Sequence, residues 1–195
     1  MKHSSIQNIQ DEHASLSAML LSLRMMVKRG PKDESTLFFD VLRAMLFYID
    51  EVPEKQHHTK ESQFLFPAIA RRSLTCKALI ESLEVEHQKG ESAVRELQHM
   101  LLAWEILGDS RRKEFEEAVT RYLDFYFLHM KQEETIIIPE ALKVLTTDDW
   151  LLIDQAFAYN KDPLSKNNQR DPIYDRLFTK IVMQAPEPIG LGARH

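Results

Sequence analysis

Apolar residues recur every three or four positions along four long stretches of this chain, the interval expected of helices that each bury one face. The first stretch sets Ile6, Ile9, Leu16, Leu20, Leu23 and Val27 on one line, with His13 as its polar occupant, and Gly30-Pro31 ends it. The second begins near Ser35, carries Phe38, Leu42, Met45 and Ile49, and meets Pro53, which should kink the helix or shift its register. The third opens near Ser73 or Thr75, either of which offers a cap, and its seam reads Ile80, Leu83, His87, Gly90, Val94, Leu97, Leu101, Trp104. After Gly108-Asp109-Ser110 the fourth runs Phe115, Val119, Tyr122, Tyr126, His129, Glu133, Ile136.

Four amphipathic helices with short connections predict an all-α fold, an antiparallel up-down-up-down four-helix bundle over residues 1–145. Residues 146–195 change character. TTDDWLLIDQAFAYN reads as a capped short helix, KDPLSKNNQRDP as a polar loop, IYDRLFTKIVMQ as another short helix and APEPIGLGARH as an irregular tail. These residues are expected to form an extension packed on the bundle.

An internal repeat carries the chemistry. HHTKESQFLFP at 57–67 aligns without a gap on HMKQEETIIIP at 129–139, matching His57 with His129, Glu61 with Glu133, an apolar triplet with another, and Pro67 with Pro139. On a helix, side chains four residues apart project from one face, so each His/Glu pair is a chelating pair. Imidazole with carboxylate suits iron, manganese or zinc, and a carboxylate on a core seam is costly unless something positive meets it. A lone core histidine is ordinarily a hydrogen-bonded core residue, and an i,i+4 His/Glu pair is ordinarily a solvated surface contact. Here, however, each half of the chain supplies one helix with a single core histidine, His13 or His87, followed by one with H-x-x-x-E. Four histidines and two glutamates exceed what one tetrahedral zinc needs and suit two metal ions sharing carboxylates. No zinc-protease pattern is present, and the spacing differs from the Glu-x-x-His of ferritin-like bundles.

With DEH in helix one, HHTKESQFLFP in helix two, VEHQ in helix three and HMKQEETIIIP in helix four, the chain resembles the hemerythrin-like proteins with the HHE cation-binding domain over about residues 5–145. The resemblance implies a non-heme di-iron centre, two irons per chain, with His13, His57, His87 and His129 as terminal ligands and Glu61 and Glu133 as candidate bridges. Oxygen-carrying relatives have a second histidine in helix three where this chain has Glu91, so Glu91 is a further candidate ligand, and a carboxylate-rich site would disfavour reversible oxygen carriage. His58 is an alternative to His57, and Glu134 an alternative to Glu133. Tyr126 and Tyr122, one and two turns before His129, either pack the core or bond to a ligand. His3, His99 and His195 lack partners at ligand spacing and are expected at the surface.

The apolar triplets Phe64-Leu65-Phe66 and Ile136-Ile137-Ile138 should close the end of the site and keep it dry, with Phe64 and Ile136 as the gate. A dry di-iron pocket implies a small ligand, dioxygen, peroxide or nitric oxide, in sensing, stress defence or iron handling. No nucleotide loop or nucleophile constellation points to an organic substrate. The alternatives are a zinc-dependent hydrolase and a metal-free helical interaction module. Net charge of −5, with both signs mixed along the chain, predicts no nucleic-acid surface. One cysteine, Cys76, excludes an intrachain disulfide, and no stretch has the length of a membrane span or the core of a signal peptide, so the cytoplasm is the expected location.

Overall fold

In the computed structural model, which describes residues 3–31, 35–158 and 174–192, four helical rods carry the expected seams. The first is α1 (Ser4–Arg29). The second rod strings together α2 (Ser35–Ile49), a π-helical segment π1 (Asp50–His57), a single turn α3 (His58–Lys60), π2 (Glu61–Leu65) and α4 (Phe66–Ala70). The third is α5 (Lys77–Leu107), and the fourth joins α6 (Arg112–Gln132), π3 (Glu133–Ile137) and α7 (Ile138–Val144). Beyond them lie α8 (Thr147–Ala158) and α9 (Asp175–Gln184).

Neighbouring rods run in opposite directions, as paired contacts along them show. Val27 and His13 of α1 meet Arg112 and Glu134, the two ends of rod four. Phe38 and His58 of rod two meet Trp104 and His87 of α5, which in turn meet Phe115 and His129 of α6. The chain is an all-α bundle, as its periodicity predicts. Among the described residues, no helix is long and apolar enough to cross a membrane.

The rod ends follow local chemistry. Gly30 stops α1 at φ +76°, a conformation that side chains other than glycine's rarely adopt, and Arg112 donates to the carbonyls of Val27 and Lys28 at 3.1 and 2.9 Å. Neither Ser73 nor Thr75 caps α5. The helix starts only at Lys77, after Cys76, with no side-chain cap, because Ser73 donates its hydroxyl to Glu140 instead. α8 does carry the predicted cap: Thr146 Oγ1 accepts the Asp149 N–H at 3.3 Å while Asp149 takes the Thr146 N–H at 2.9 Å.

Pro53 shifts the register rather than kinking the rod. It has no N–H to give the carbonyl four residues back, and the chain widens into π1, where the His58 N–H reaches the Pro53 carbonyl. The repeat does the same twice more: π2 and π3 sit directly before Pro67 and Pro139 and ease the clash each ring would make with the preceding turn. A widened turn absorbs one extra residue, so the residue buried after Glu133 is Ile137, while Ile136, expected on the seam, is 45% exposed. The same shift leaves Phe64 41% exposed and buries Leu65 and Phe66.

Two apolar layers result. One gathers Leu16 to Val27, Phe38 to Val52, Val94 to Trp104 and Phe115 to Met130. The other gathers Ile9, Leu65 to Ile69, Ile80, Leu83, Ile137 to Ala141 and, from α8, Trp150, Ile153 and Phe157. Each large side chain buried there contributes about 1.5–3 kcal/mol. α8 packs along α1, where Asp154 accepts the Ser5 N–H at 2.9 Å and Asn8 donates to the Phe157 carbonyl at 2.9 Å. α9 packs on α2, and Ser22 ties the following segment to α1 by donating to the Pro186 carbonyl and accepting the Ile189 N–H. The expected polar loop at 161–172 lies outside the described residues.

Candidate metal centre

Between the two apolar layers every rod contributes ionisable side chains to one buried layer. His13, His57, His58, Glu61, His87, His129 and Glu133 are all buried, and they fall into two groups of metal-binding size: His13, His57, Glu61 and Glu133, and His58, Glu61, His87 and His129. Within each group the candidate ligand atoms lie within 4.8 Å of one another.

The orientation of the five imidazoles follows from what holds their outer nitrogens. His13 Nδ1 meets Glu134 at 2.9 Å, His58 Nδ1 meets Glu54 at 3.1 Å, His129 Nδ1 meets Glu86 at 2.9 Å, and His57 Nδ1 bonds to Glu12. A carboxylate only accepts, so each Nδ1 must carry the proton. For His87 the partner is Ser62, whose hydroxyl proton is already given to Glu84 at 2.8 Å, so its oxygen accepts from His87 Nδ1 at 3.1 Å. With Nδ1 protonated, a neutral ring presents the Nε2 lone pair to the interior. Outer carboxylates that fix the tautomer and raise ligand basicity are the ordinary support of metal-binding histidines.

The Nε2 atoms converge in two pairs, His13 with His57 and His87 with His129, each 3.2 Å apart. Facing lone pairs at that distance repel unless a proton or a metal ion stands between them. Against them lie the carboxylates. Glu61 Oε1 is 3.4 Å from His57 Nε2 and Oε2 is 3.6 Å from His87 Nε2; Glu133 Oε2 is 3.3 Å from His13 Nε2 and Oε1 is 3.1 Å from His129 Nε2. Each glutamate thus turns one oxygen to each group, and all four oxygens are buried without a hydrogen-bond partner. A buried carboxylate in that condition is costly, and a multivalent cation relieves it. The donor set therefore fits a metal.

Without a metal, protons hold the layer together. Burial disfavours charge on His129, but the Glu133, Glu86 and Glu61 carboxylates override it and lift its pKa to about 9. His13 and His57 also rise against their burial, through Glu133 and Glu134 for the first and Glu61 and Glu12 for the second. Glu133 is held well below the carboxylate range despite its burial, chiefly by His129. His58 moves the other way, pushed well down by burial and by His87 and His57, so it stays a neutral donor. A folded pKa above the ordinary 6.5 means that the His129 contribution is full below pH 6.5 and lost as pH rises through about 9. The metal-free protein should lose thermal stability between those limits while the metal-loaded protein does not, and metal affinity should rise over the same interval as protons leave. Melting curves of both forms across that range check this.

The structure brings together His13, His57, Glu61, His87, His129 and Glu133. Glu91 is not among them: its side chain is 44% exposed and paired with Arg95. The α5 seam passes through Gly90, which leaves residue 91 on the flank. His58 joins the layer beside His57 rather than replacing it, because the π1 turn brings both adjacent rings into the core. Glu134 holds His13 from outside, and Glu133 occupies the interior. Tyr122 and Tyr126 point to Glu54, to which both donate their hydroxyls. His99 is exposed, His195 lies outside the described residues, and His3, expected at the surface, is half-buried, stacks on Trp150 and bonds to Asp154.

The outer residues escaped sequence reasoning, although the repeat encodes them. Glu12 and Glu86 each precede a lone core histidine and reach across to the H-x-x-x-E histidine of the same half. In the register that lays His57 on His129, Ser62 falls on Glu134, and both support a lone histidine. Glu54 falls on Tyr126, its own hydrogen-bond partner.

Comparison with individually curated proteins gives no match. The family model described as "Hemerythrin HHE cation binding domain" matches residues 4–141, all four rods and every side chain of the buried layer. The chain belongs to the hemerythrin HHE cation-binding family.

Proposed function

We propose that the chain is a non-heme di-iron protein whose site binds or reacts with dioxygen, peroxide or nitric oxide. The observation that carries this reading is the placement of Glu61 and Glu133, two buried carboxylates that each turn one oxygen toward each histidine group. One iron would be held by His13 and His57 and a second by His58, His87 and His129, with Glu61 and Glu133 as the carboxylates available to both. The set is imidazole-rich, five rings and two carboxylates, since His58 supplies the imidazole that Glu91 does not. The objection to reversible oxygen binding that rested on Glu91 therefore falls away. Iron held this way supplies reversible redox chemistry toward small ligands.

The protein's own residues restrict what enters. Phe66 stacks on His87 at 5.5 Å and lies in one apolar cluster with Leu65, Ile137 and Ile138, and Phe157 of α8, in the same cluster, stands 6.5 Å from His57. An apolar wall of this kind favours small uncharged molecules. The gate residues are accordingly Phe66 and Phe157 in place of Phe64 and Ile136. Phe66→Ala should cost about 3–5 kcal/mol and speed oxidation of the iron-loaded protein in air, whereas Phe64→Ala should leave that rate unchanged. Stopped-flow absorbance with the two variants tests it.

The function itself is tested by loading the protein anaerobically with ferrous iron and recording its absorption before and after dioxygen, hydrogen peroxide and nitric oxide. New charge-transfer absorption with at least one of them supports the reading. A protein that stays colourless with all three, or that takes up zinc and refuses iron, contradicts it.

A further inference from the structure

Glu54 lies in the core with its carboxylate out of solvent, yet it belongs to neither metal-binding group. One oxygen, Oε1, accepts the hydroxyl of Tyr122 at 2.8 Å and that of Tyr126, while Oε2 accepts Nδ1–H of His58 at 3.1 Å. Burial and the neighbouring carboxylate keep both phenols protonated, so they act as fixed donors. The tyrosines and Glu54 have room for this only because residue 90 of α5 is glycine: a Cβ there would run into the Tyr126 hydroxyl and stand 2.9 Å from Glu54 Oε1.

His58 is fixed on its faces as well as at its edge. Its ring lies between Tyr126, at 5.9 Å and 8°, and His87, at 4.1 Å and 7°, and His87 continues the column onto Phe66 at 5.5 Å and 15°. With both faces stacked and Nδ1 held, Nε2 has one direction left, toward Glu61, His87 and His129. The hydrogen bonds of Glu54 reach a ligand of the second group only. The first group draws its support elsewhere, His57 from Glu12 and His13 from Glu134.

We propose that Glu54, locked by Tyr122 and Tyr126 over the notch at Gly90, is a positioning residue that sets the affinity of the second metal position alone. The inference rests on the two-metal reading above. In the register of the repeat, His58 falls on Met130, so the first group has neither a third imidazole nor a counterpart of this lock. The pseudo-symmetric site is thereby divided into two unequal halves.

The test is an anaerobic titration of metal-free protein with cobalt(II), followed by visible absorption and calorimetry, for wild type, Glu54→Gln and Gly90→Ala. Glutamine keeps the shape of Glu54 but cannot accept from both tyrosines and from His58 together. Alanine at 90 displaces the lock while leaving its three side chains unsubstituted, so the proposal stays testable if one variant folds poorly. The expected result is that one of the two cobalt ions, the one at the His58 group, binds about 10–100-fold more weakly in each variant, the usual effect of losing an outer partner, while the other binds as in wild type. Equal weakening of both ions, or two unchanged ions, overturns the inference and leaves the two-metal reading standing. A wild-type protein that takes a single ion overturns both.

Discussion

Glu61→Ala should bring bound iron down from about two per chain to less than one, and the rise in thermal stability that metal gives the wild type should vanish with it. Glu133 also faces both groups, but among the described residues Glu61 alone has ligand atoms within 4.8 Å of every other member of each, and its two oxygens face His57 and His87 across the division between them. Losing His13 or His58 removes a donor from one group; losing Glu61 removes one from each. A metal held a thousandfold above its dissociation constant adds about 4 kcal/mol to stability, so the loss is large in a melting experiment. Elemental analysis and calorimetric melting of the variant, with and without ferrous iron, are sufficient. A variant that keeps about two irons would show that Glu61 is not shared.

Trp104→Ala should have the largest effect on stability without touching the metal. Trp104 is almost completely buried in the layer away from the site, edge-on to Phe38 and Phe39 at 5.5 and 5.1 Å and against Phe115 at 5.7 Å, with its indole N–H given to Asp109 at 3.0 Å. Truncation leaves a cavity joining three rods and orphans the Asp109 acceptor, at a cost of about 3–5 kcal/mol and a fall in Tm on the order of 10 °C. Because the ionisable layer is separated from this cluster by other packed side chains, the iron content of the folded fraction should not change. A proportional loss of iron would mean that the layers are not mechanically separate.

Much of this architecture could be read from the chain because its signals are local and repeated. The seams through His13, His87 and His129 follow plain helical periodicity, and α1, α5 and α6 are uninterrupted α-helices there. The errors gather where that geometry fails. At π1 an extra residue per turn buries His57 and His58 together, which a fixed 100° step does not allow, so the two were read as alternatives. At π2 and π3 the same device moved the wall from Phe64 and Ile136 to their neighbours. Glu91 was placed near the site by analogy of spacing, whereas the α5 seam turns on Gly90 and leaves Glu91 paired with Arg95 at the surface, and the fifth imidazole of the layer, His58, arrives from another rod. Outer carboxylates such as Glu12 and Glu54 act across rods, and only tertiary packing brings them to their histidines.

Whether one buried layer holds two irons through shared glutamates is read most directly from the stoichiometry of ferrous iron bound by metal-free protein under strict exclusion of oxygen. Saturation is expected at about two irons per chain, falling below one in Glu61→Ala. Saturation at one iron, or two irons that survive the loss of Glu61, would contradict it.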